Sequence, residues 1–455
     1  MTPPDSQSEA TKQAAKSRGE KVIAQLRDKK DVVLSLGVRG AAVIAGFAVT
    51  YLIGSSLGPA ATGQYALVSQ TALFLSVIAL LGLNVSVVRH FSKAVAQGKK
   101  LALRTVARIA ALGLLFMGLV VVLLWLGQGL LWPALFGDVA PKAMLAVLCV
   151  LLVARGGVQL FGGMLRSQQS FVIGQGIVVL AIPACTAIAL ATGLVETVHG
   201  ALWASAAAGL AALAFGALVM LRHTRTGTKD AVEIPIRTVV ASSLPLWGVG
   251  IAQNIGDWYA LAVAAQMLSA ADAGLYRVSV QIAMALQVIA NALFAVYSAK
   301  VSAAFHAGDR AKAAQLARTA VRVSSVLAIP IALTLILCAD LILKQFGPEF
   351  QAAWPILVCL IVGQLIFTLT GPAGLVLAMS GNERVNLVIT IAGMIAVLVL
   401  TPIGAIYGGL VGIAFAVTAA LIARNLAAYV FVRRREGFDI WTGKILPGFS
   451  EKSTD

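Results

Sequence analysis

The sequence predicts an all-α membrane protein of twelve transmembrane helices in two six-helix lobes, related as parallel repeats, with N- and C-termini both cytoplasmic. Three observations predict it. Apolar residues make up 59% of the 455-residue chain, charged residues only 12%, and the mean hydropathy is +0.90, whereas a soluble domain carries about 25% charged residues. Apolar runs of about 20 residues, the length a helix needs to cross a hydrocarbon core of about 30 Å, recur along nearly the whole chain. Lys and Arg gather in alternate loops between those runs, as they do when short loops are retained on the cytoplasmic side.

The breaks between runs place spans near 31–55, 64–87, 106–128, 142–165, 171–193, 199–221, 238–265, 273–299, 317–339, 352–379, 385–404 and 406–431. Gly, Pro and Asp punctuate them, as at Leu57-Gly58-Pro59, Gly137-Asp138 and Gly347-Pro348. The domain organisation follows: a basic cytoplasmic tail at 1–30, an N-terminal lobe at 31–221, an inter-lobe linker at 222–237, a C-terminal lobe at 238–431 and a cytoplasmic tail at 432–455. The first tail lacks the short apolar core and small-residue cleavage site of a secretory signal. It can form a basic helix lying on an anionic leaflet, or remain disordered.

Orientation is read from the cations. Lys12, Lys16, Arg18, Lys21, Arg27, Lys29 and Lys30 precede span 1. Arg89, Lys93, Lys99, Lys100, Arg104 and Arg108 follow span 2. Arg222, Arg225, Lys229 and Arg237 follow span 6, and Lys300, Arg310, Lys312, Arg318 and Arg322 follow span 8. The opposite loops hold only Lys142 and Lys344, and Arg433-Arg434-Arg435 closes the series on the inner side. This placement accounts for the formal net charge of +16 without nucleic acid.

The halves echo one another. Leu57, Gly63, Tyr65 and Gln70 align with Leu268, Gly274, Tyr276 and Gln281 at a constant offset of 211, and Arg104-Thr105-Val106-Ala107-Arg108 matches Arg318-Thr319-Ala320-Val321-Arg322. Six spans separate the copies, so both enter from the same side, as in parallel transporter repeats.

The chemistry is sparse. Cys149, Cys185, Cys338 and Cys359 stand singly in apolar helices, without metal or redox spacing. No P-loop, zinc motif or nucleophile motif occurs, so neither an enzyme nor a nucleotide-driven pump is expected. No metal or cofactor is expected either.

Ionisable residues inside spans are costly, and each is a functional candidate. Arg155 lies deepest, beside Gly156 and Gly157. It either lines a cavity and binds substrate or bonds to backbone carbonyls of a neighbouring helix. Arg39, two turns into span 1, lines a cavity or snorkels towards the cytoplasm, and Arg424 in span 12 is placed to snorkel. Arg277 lies one turn inside span 8, four residues before Gln281 and on its face. Asp257 shares a stripe of span 7 with Trp247, Gly250 and Asn254. It forms either a buried ion pair with Arg277 or a proton or sodium site that gates the outer cavity. Gln70, Asn84, Gln253, Gln281, Gln287 and Asn291 could bond sugars or neighbouring helices. Pro183, Pro245, Pro330 and Pro372 imply kinks. No Asp or Glu lies within the membrane between Asp31 and Asp257, whereas two Arg do. A front half so charged suits an anionic substrate such as a lipid diphosphate.

Leu57-Gly58-Pro59-Ala60-Ala61-Thr62-Gly63-Gln64-Tyr65 entering span 2, Leu81-Gly82-Leu83 and Arg89 at its inner end, Ala273-Gly274-Leu275-Tyr276 entering span 8 and the acidic Asp257 in span 7 give the chain a resemblance. It resembles a Wzx-type polysaccharide flippase of the multidrug/oligosaccharidyl-lipid/polysaccharide exporter superfamily. The resemblance implies two lobes around a cavity that opens alternately to each face. It further implies an undecaprenyl-diphosphate-linked oligosaccharide as substrate, moved across a bacterial inner membrane for O-antigen, capsule or exopolysaccharide assembly. On this reading Arg39, Arg155 and Arg277, with Gln70 and Gln281, bind substrate. Asp257 and Asn254 serve coupling or gating, by proton, sodium or membrane potential, and Arg89 gathers the head group at the cytoplasmic side. Membrane lipids and the polymerase and export proteins of the pathway are the expected partners. A drug or metabolite antiporter of the same superfamily and a peptidoglycan-precursor flippase are the alternatives.

Overall fold

The computed structural model describes residues 5–97, 99, 101–168, 170–225, 232–370 and 372–446, with side chains from Leu34 onward apart from a few inner positions. The described chain is helical. Its extended pairing is limited to two isolated bridges, Leu101 with Val232 and Phe438 with Ile445. In order the helices are α1 (Asp5–Ala79), α2 (Leu83–Ala96), α3 (Leu103–Leu126), α4 (Gln128–Phe136), α5 (Leu145–Ser167), α6 (Phe171–Val179), α7 (Ala181–Ala191) and α8 (Val198–Arg225). The second half has α9 (Ile236–Met267), α10 (Ala270–His306), α11 (Arg310–Leu337), α12 (Ala339–Phe346), α13 (Trp354–Thr370), α14 (Pro372–Met379) and α15 (Glu383–Arg435). Seven helices are long and apolar enough to cross a membrane, or eight if the bent pair α6–α7 is one span.

Two of these helices are interrupted by one residue. Gly58 in α1 adopts φ 80°, ψ −178°, a conformation that only glycine takes without strain. The Pro59 that follows has no N–H to continue the helix and keeps its predecessor out of the α region. Gly409 in α15, with φ 56° and ψ −139°, breaks that helix in the same way. The 48° bend between α6 and α7 falls where Pro183 removes the hydrogen bond to the carbonyl of Val179.

The exterior is greasy. Leu126, Leu130, Leu337 and Tyr407 are at least three-quarters exposed, a surface that only lipid can solvate. Inside, Ala, Val and Leu dominate the core, and α5 is the most enclosed of the apolar helices, with two-thirds of its best span buried. A Cβ on Gly156 would strike the Met117 sulfur, and one on Gly157 would strike Leu213. These glycines let α3 and α8 close on α5.

The second segment of α1 is the axis of the bundle, because it meets α9 and α10 from the other half. At one end, here the opposite end, a Cβ on Gly63 would collide with the carbonyl oxygen of Ala270, and one on Gly274 with that of Pro59. The contact is reciprocal, and its members stand 211 positions apart (59 with 270, 63 with 274). Midway, Trp258 stacks on Phe74 at 4.7 Å and donates its indole N–H to Thr71 Oγ1 at 2.9 Å. At the other, basic end, a Cβ on Gly82 would meet the backbone of Ser243 and Trp247, and Ser86 Oγ donates to Val239 O at 2.7 Å.

The residues after α15 fold back under the basic end as a small hairpin. Phe438 and Ile440 are fully buried against Val301, Ala317, Val321 and Leu377. Asp439 receives the backbone N–H of Trp441 at 2.7 Å and of Thr442 at 3.2 Å, and the Tyr429 hydroxyl at 2.9 Å. Glu436 receives Asn382 Nδ2 at 2.6 Å. Burial alone would raise the Asp439 carboxyl, but the Trp441 N–H, the Tyr429 hydroxyl, the Thr442 N–H and the Arg433 charge outweigh it and hold it below the usual carboxylate range. A carboxyl depressed on folding stabilises fully above its unfolded value of about 4 and loses that contribution as pH falls through the lower folded value. Asp439→Asn should therefore loosen the hairpin by on the order of 1–2 kcal/mol at neutral pH. The check is limited trypsinolysis at Lys444, expected to accelerate in the variant at pH 7, with the difference shrinking as pH is lowered through the acid range.

Candidate functional site

The axis helix and α5 enclose a cavity. One chamber, of about 180 Å³, is walled by Thr50, Tyr65, Ser69, Gln70 and the apolar residues around them. A second, of about 670 Å³, is walled by Asn84, Gln159, Arg166, Trp247, Gln253 and Asn254 among others. Leu73, Arg155, Val178, Val179, Ile182 and Arg277 belong to both walls, so the two chambers of the cavity adjoin at these residues. Its waist carries two guanidinium groups, one from each half of the chain. No Asp or Glu lines either chamber.

Arg155 is half-buried and donates from Nη2 to Ser69 Oγ at 2.6 Å. Its Nε is buried and has no hydrogen-bond partner among the described residues. One turn on, Gln159 Nε2 donates to Ser76 Oγ at 3.0 Å, and its Oε1 accepts from Asn84 Nδ2 at 3.3 Å. Arg166, further along that face, donates to Gly162 O at 3.3 Å. A single stripe of α5 thus carries Arg155, Gln159 and Arg166 into the cavity, while Gly156 and Gly157 serve the helices behind. Tyr65 anchors the first chamber through its hydroxyl, 2.9 Å from Ser205 Oγ.

Arg277 projects from the first turns of α10, whose start is capped by Ser269 accepting the N–H of Asp272 at 3.0 Å. The groups close enough to act on its charge are Asp257, Tyr65, Arg155 and Tyr276. None of them holds it in an ion pair, since the salt bridges among the described residues are Arg108–Glu233 and Arg433–Asp439, both at the basic end. Asp257 stands off the cavity wall. It is crowded by protein but keeps its side chain accessible, with Arg277 and Arg424 as the charges acting on it.

Of the residues picked from sequence, Arg155, Arg277, Gln70 and Asn254 come together around this space. Asn254 donates back to Gly250 O at 2.8 Å. Gln281 lies instead on the seam between α1 and α10, accepting from Thr50 Oγ1 at 3.3 Å. Arg39 is exposed on α1, apart from the wall but within electrostatic reach of Arg166. Arg89 lines a separate pocket at the basic end. Tyr65, Gln159 and Arg166 are wall residues that sequence reasoning did not select. The position of Gln159 four residues after Arg155 was the available signal.

A family model described as polysaccharide biosynthesis protein matches residues 29–297. The chain belongs to that family. Its fold is similar to an inward-facing multidrug resistance MATE family transporter of the MOP superfamily, with TM-score 0.72, 15% identity, and 89% of this chain and 98% of that chain covered. It is also similar to the lipid II flippase MurJ in an inward closed conformation, with TM-score 0.71, 12% identity, and coverage of 88% and 87%. An outward-facing MATE transporter matches with TM-score 0.55, 15% identity, and coverage of 88% and 95%. A search of curated proteins finds no match. Those structural neighbours are a membrane transporter and a lipid flippase, whose fold this chain shares, and its long apolar helices make it a multi-pass membrane protein.

Gly63 and Gly274 meet in close backbone contact, beside Thr62 and three residues before Arg277 of the cavity wall. Gly274→Val should spread that seam. In a protein whose native cysteines are replaced, a cysteine at Gln70 should then react about tenfold faster with a membrane-impermeant maleimide, the change given by about 1.4 kcal/mol in the closed-to-open balance. An unchanged rate would mean that the seam does not gate the space.

Proposed function

We propose that the chain is a flippase that carries a diphosphate-linked, lipid-borne oligosaccharide across the bacterial inner membrane by alternating access. The observation that carries this reading is the cavity waist: two guanidinium groups, from opposite halves of the chain, facing one space with no carboxylate on its wall. At an effective dielectric of about 20 and a separation of about 4 Å, each cation–phosphate pair is worth roughly 4 kcal/mol. That offsets part of the cost of drawing a double negative charge into a low-dielectric interior. Gln70, Gln159, Asn84, Gln253 and Asn254 supply the hydrogen-bonding groups that sugars need, and the larger chamber, at about 670 Å³, falls within the range of about 300–1,000 Å³ common to ligand sites.

The finer architecture is part of the same proposal. The seven apolar helices, the bent pair α6–α7, the second segments of the two glycine-broken helices, and α9 and α10 make twelve crossings. The reciprocal Gly63–Gly274 contact supports two halves, 31–221 and 238–431, related by an axis along the membrane normal. The basic end is then cytoplasmic and carries both termini. Arg39 and Arg166, at that end of the space, guide the head group inward. Asp257, between Arg277 and Arg424, is the coupling residue, its proton, sodium ion or response to membrane potential relaying to Arg277 on the wall. The polyprenyl tail stays in lipid, and the polymerase and export proteins of a surface-polysaccharide pathway receive the product.

The likeness to the lipid II flippase favours one second reading, in which the cargo is a peptidoglycan precursor with the same diphosphate. A cationic drug fits poorly, because no carboxylate on the wall would pair with it. Deletion of the gene separates the three: accumulation of lipid-linked oligosaccharide with loss of surface polymer supports the proposal. Lysis with accumulated peptidoglycan precursor supports the second reading, and altered drug tolerance alone supports antiport. Arg155→Met in the complemented strain should abolish surface polymer. The purified variant should melt at or above the wild-type temperature, because it removes a half-buried cation that has no counter-charge. Wild-type polymer with Arg155→Met would remove Arg155 from the binding site.

A further inference from the structure

A second cluster of cations lies apart from the central cavity. Arg89, His90 and Lys93 on α2, from the first half, and Thr238, Ala241 and Ser242 on α9, from the second half, wall a pocket of about 510 Å³ at the basic end. It shares no lining residue with the two central chambers. Ser242 Oγ lies 2.8 Å from His90 Nε2 and 2.7 Å from the fully buried Ser86 Oγ. The hydroxyl from one half is thus fixed beside the cations of the other.

Burial, reinforced by the neighbouring charges of Arg89 and Lys93, holds His90 below the usual histidine range. At neutral pH it is an uncharged hydrogen-bond partner, and the positive charge belongs to Arg89 and Lys93. Among the described residues neither is in an ion pair, and no Asp or Glu lines the pocket.

The positive-inside rule explains why cations stand at this end. It does not explain why two of them flank a pocket whose far wall is a pair of hydroxyls from the other half of the chain. The rotatable Ser242 hydroxyl, which otherwise donates to Val239 O at 3.0 Å, and the exposed Thr238 hydroxyl stand with the unpaired cations, and a phosphate group accepts from hydroxyls and cations alike. Basic pockets between helices at a membrane face are where anionic lipid head groups bind.

We infer that this pocket is a phosphate-binding site distinct from the transport cavity, held by Arg89, Lys93, Ser242 and Thr238, and that its occupant ties the two halves together at the basic end. Both an anionic lipid head group and free phosphate have the required chemistry. Either one bridges α2 and α9 where Gly82 already packs on Ser243 and Trp247. Occupancy therefore favours the arrangement in which that seam is closed, whatever the central cavity carries.

The test uses the full chain in detergent. Native mass spectrometry follows retention of dioctanoyl phosphatidylglycerol, with dioctanoyl phosphatidylcholine as the zwitterionic comparison and inorganic phosphate as competitor. Arg89→Gln/Lys93→Gln should weaken phosphatidylglycerol binding about tenfold, as loss of charge-assisted hydrogen bonds does. Ser242→Ala should weaken it about threefold, and Arg434→Gln/Arg435→Gln, equally basic and off the pocket, should leave it unchanged. Displacement of the lipid by phosphate at millimolar concentration assigns the site to phosphate from solution. Retention of the lipid in its presence assigns the site to a head group.

Binding unaffected by the α2 double variant, equal loss in the Arg434/Arg435 variant, or equal retention of phosphatidylcholine overturns the inference. If the double variant fails to elute as a single species, Lys93→Gln alone and Ser242→Ala carry the same comparison.

Discussion

The organising constraint is a charge that the hydrocarbon interior cannot easily hold. Arg155 reaches one hydroxyl, Ser69, and leaves its Nε without a partner. Arg277 reaches no carboxylate at ion-pair distance. In a bundle solvated by lipid such groups persist only where an interior space admits water or an anion. The neighbouring features accommodate that space. The glycines beside Arg155 give up their side chains so that α3 and α8 can close behind it. The bend at Pro183 brings Val178, Val179 and Ile182 round the waist. The polar stripe Arg155, Gln159, Arg166 confines the wet surface to one side of α5.

Much of this was legible in the sequence because membrane helices obey strong local rules. The breaks at Gly58 and Gly409 and the bend at Pro183 are written in single residues, and the apolar runs have no other stable use. Arg155 stood out because depth alone makes a cation conspicuous. Which way a side chain faces is a different question, decided by rotation of each helix against its neighbours. Arg39 and Arg155 look alike in sequence, yet Arg39 is exposed on the flank of α1 while Arg155 reaches the waist. Gln70 and Gln281 occupy matching repeat positions, yet one lines the cavity and the other bonds to Thr50 across the α1–α10 seam. Gln159 and Tyr65 escaped notice because polar uncharged residues in such helices more often join helices than line cavities. The C-terminal hairpin carries no periodic signal at all. Its burial depends on a cup formed by residues far back in the chain, from Val301 to Leu377.

The seams show how a bundle of nearly uniform greasiness acquires specific contacts. Lipid tails are as apolar as Leu, so hydrophobicity does not favour one helix neighbour over another, and close packing with a few polar bonds must do so. The axis helix uses both. Gly63 meets Gly274 at one end, Trp258 bonds to Thr71 and stacks on Phe74 midway, and Ser86 bonds to Val239 at the other end. Short helices reinforce the opposite end crosswise. Gln266 of α9 donates to the carbonyls of Ala134 and Leu135 in α4 at 3.0 and 2.7 Å. On the other side, Phe346 of α12 packs edge-on against Phe47 and Tyr51 of α1. Each half lays a short helix over the first long helix of the other.

The Gly63–Gly274 contact joins positions that match between the halves, but the chemistry enclosed nearby is not matched. The position 211 residues before Arg277 is Ala66, and the one 214 residues after Arg155, the offset that matches Arg104 to Arg318, is Leu369. Neither cation therefore has a twin. A repeat that rocks about a central axis needs its packing surfaces duplicated, because the same seam must close at each end in turn. A cargo with one charged end needs the reverse, a single locus where cations converge. Placing Arg155 and Arg277 on non-equivalent helices that meet at the waist satisfies both demands: the glycine seams repeat, and the positive centre occurs once.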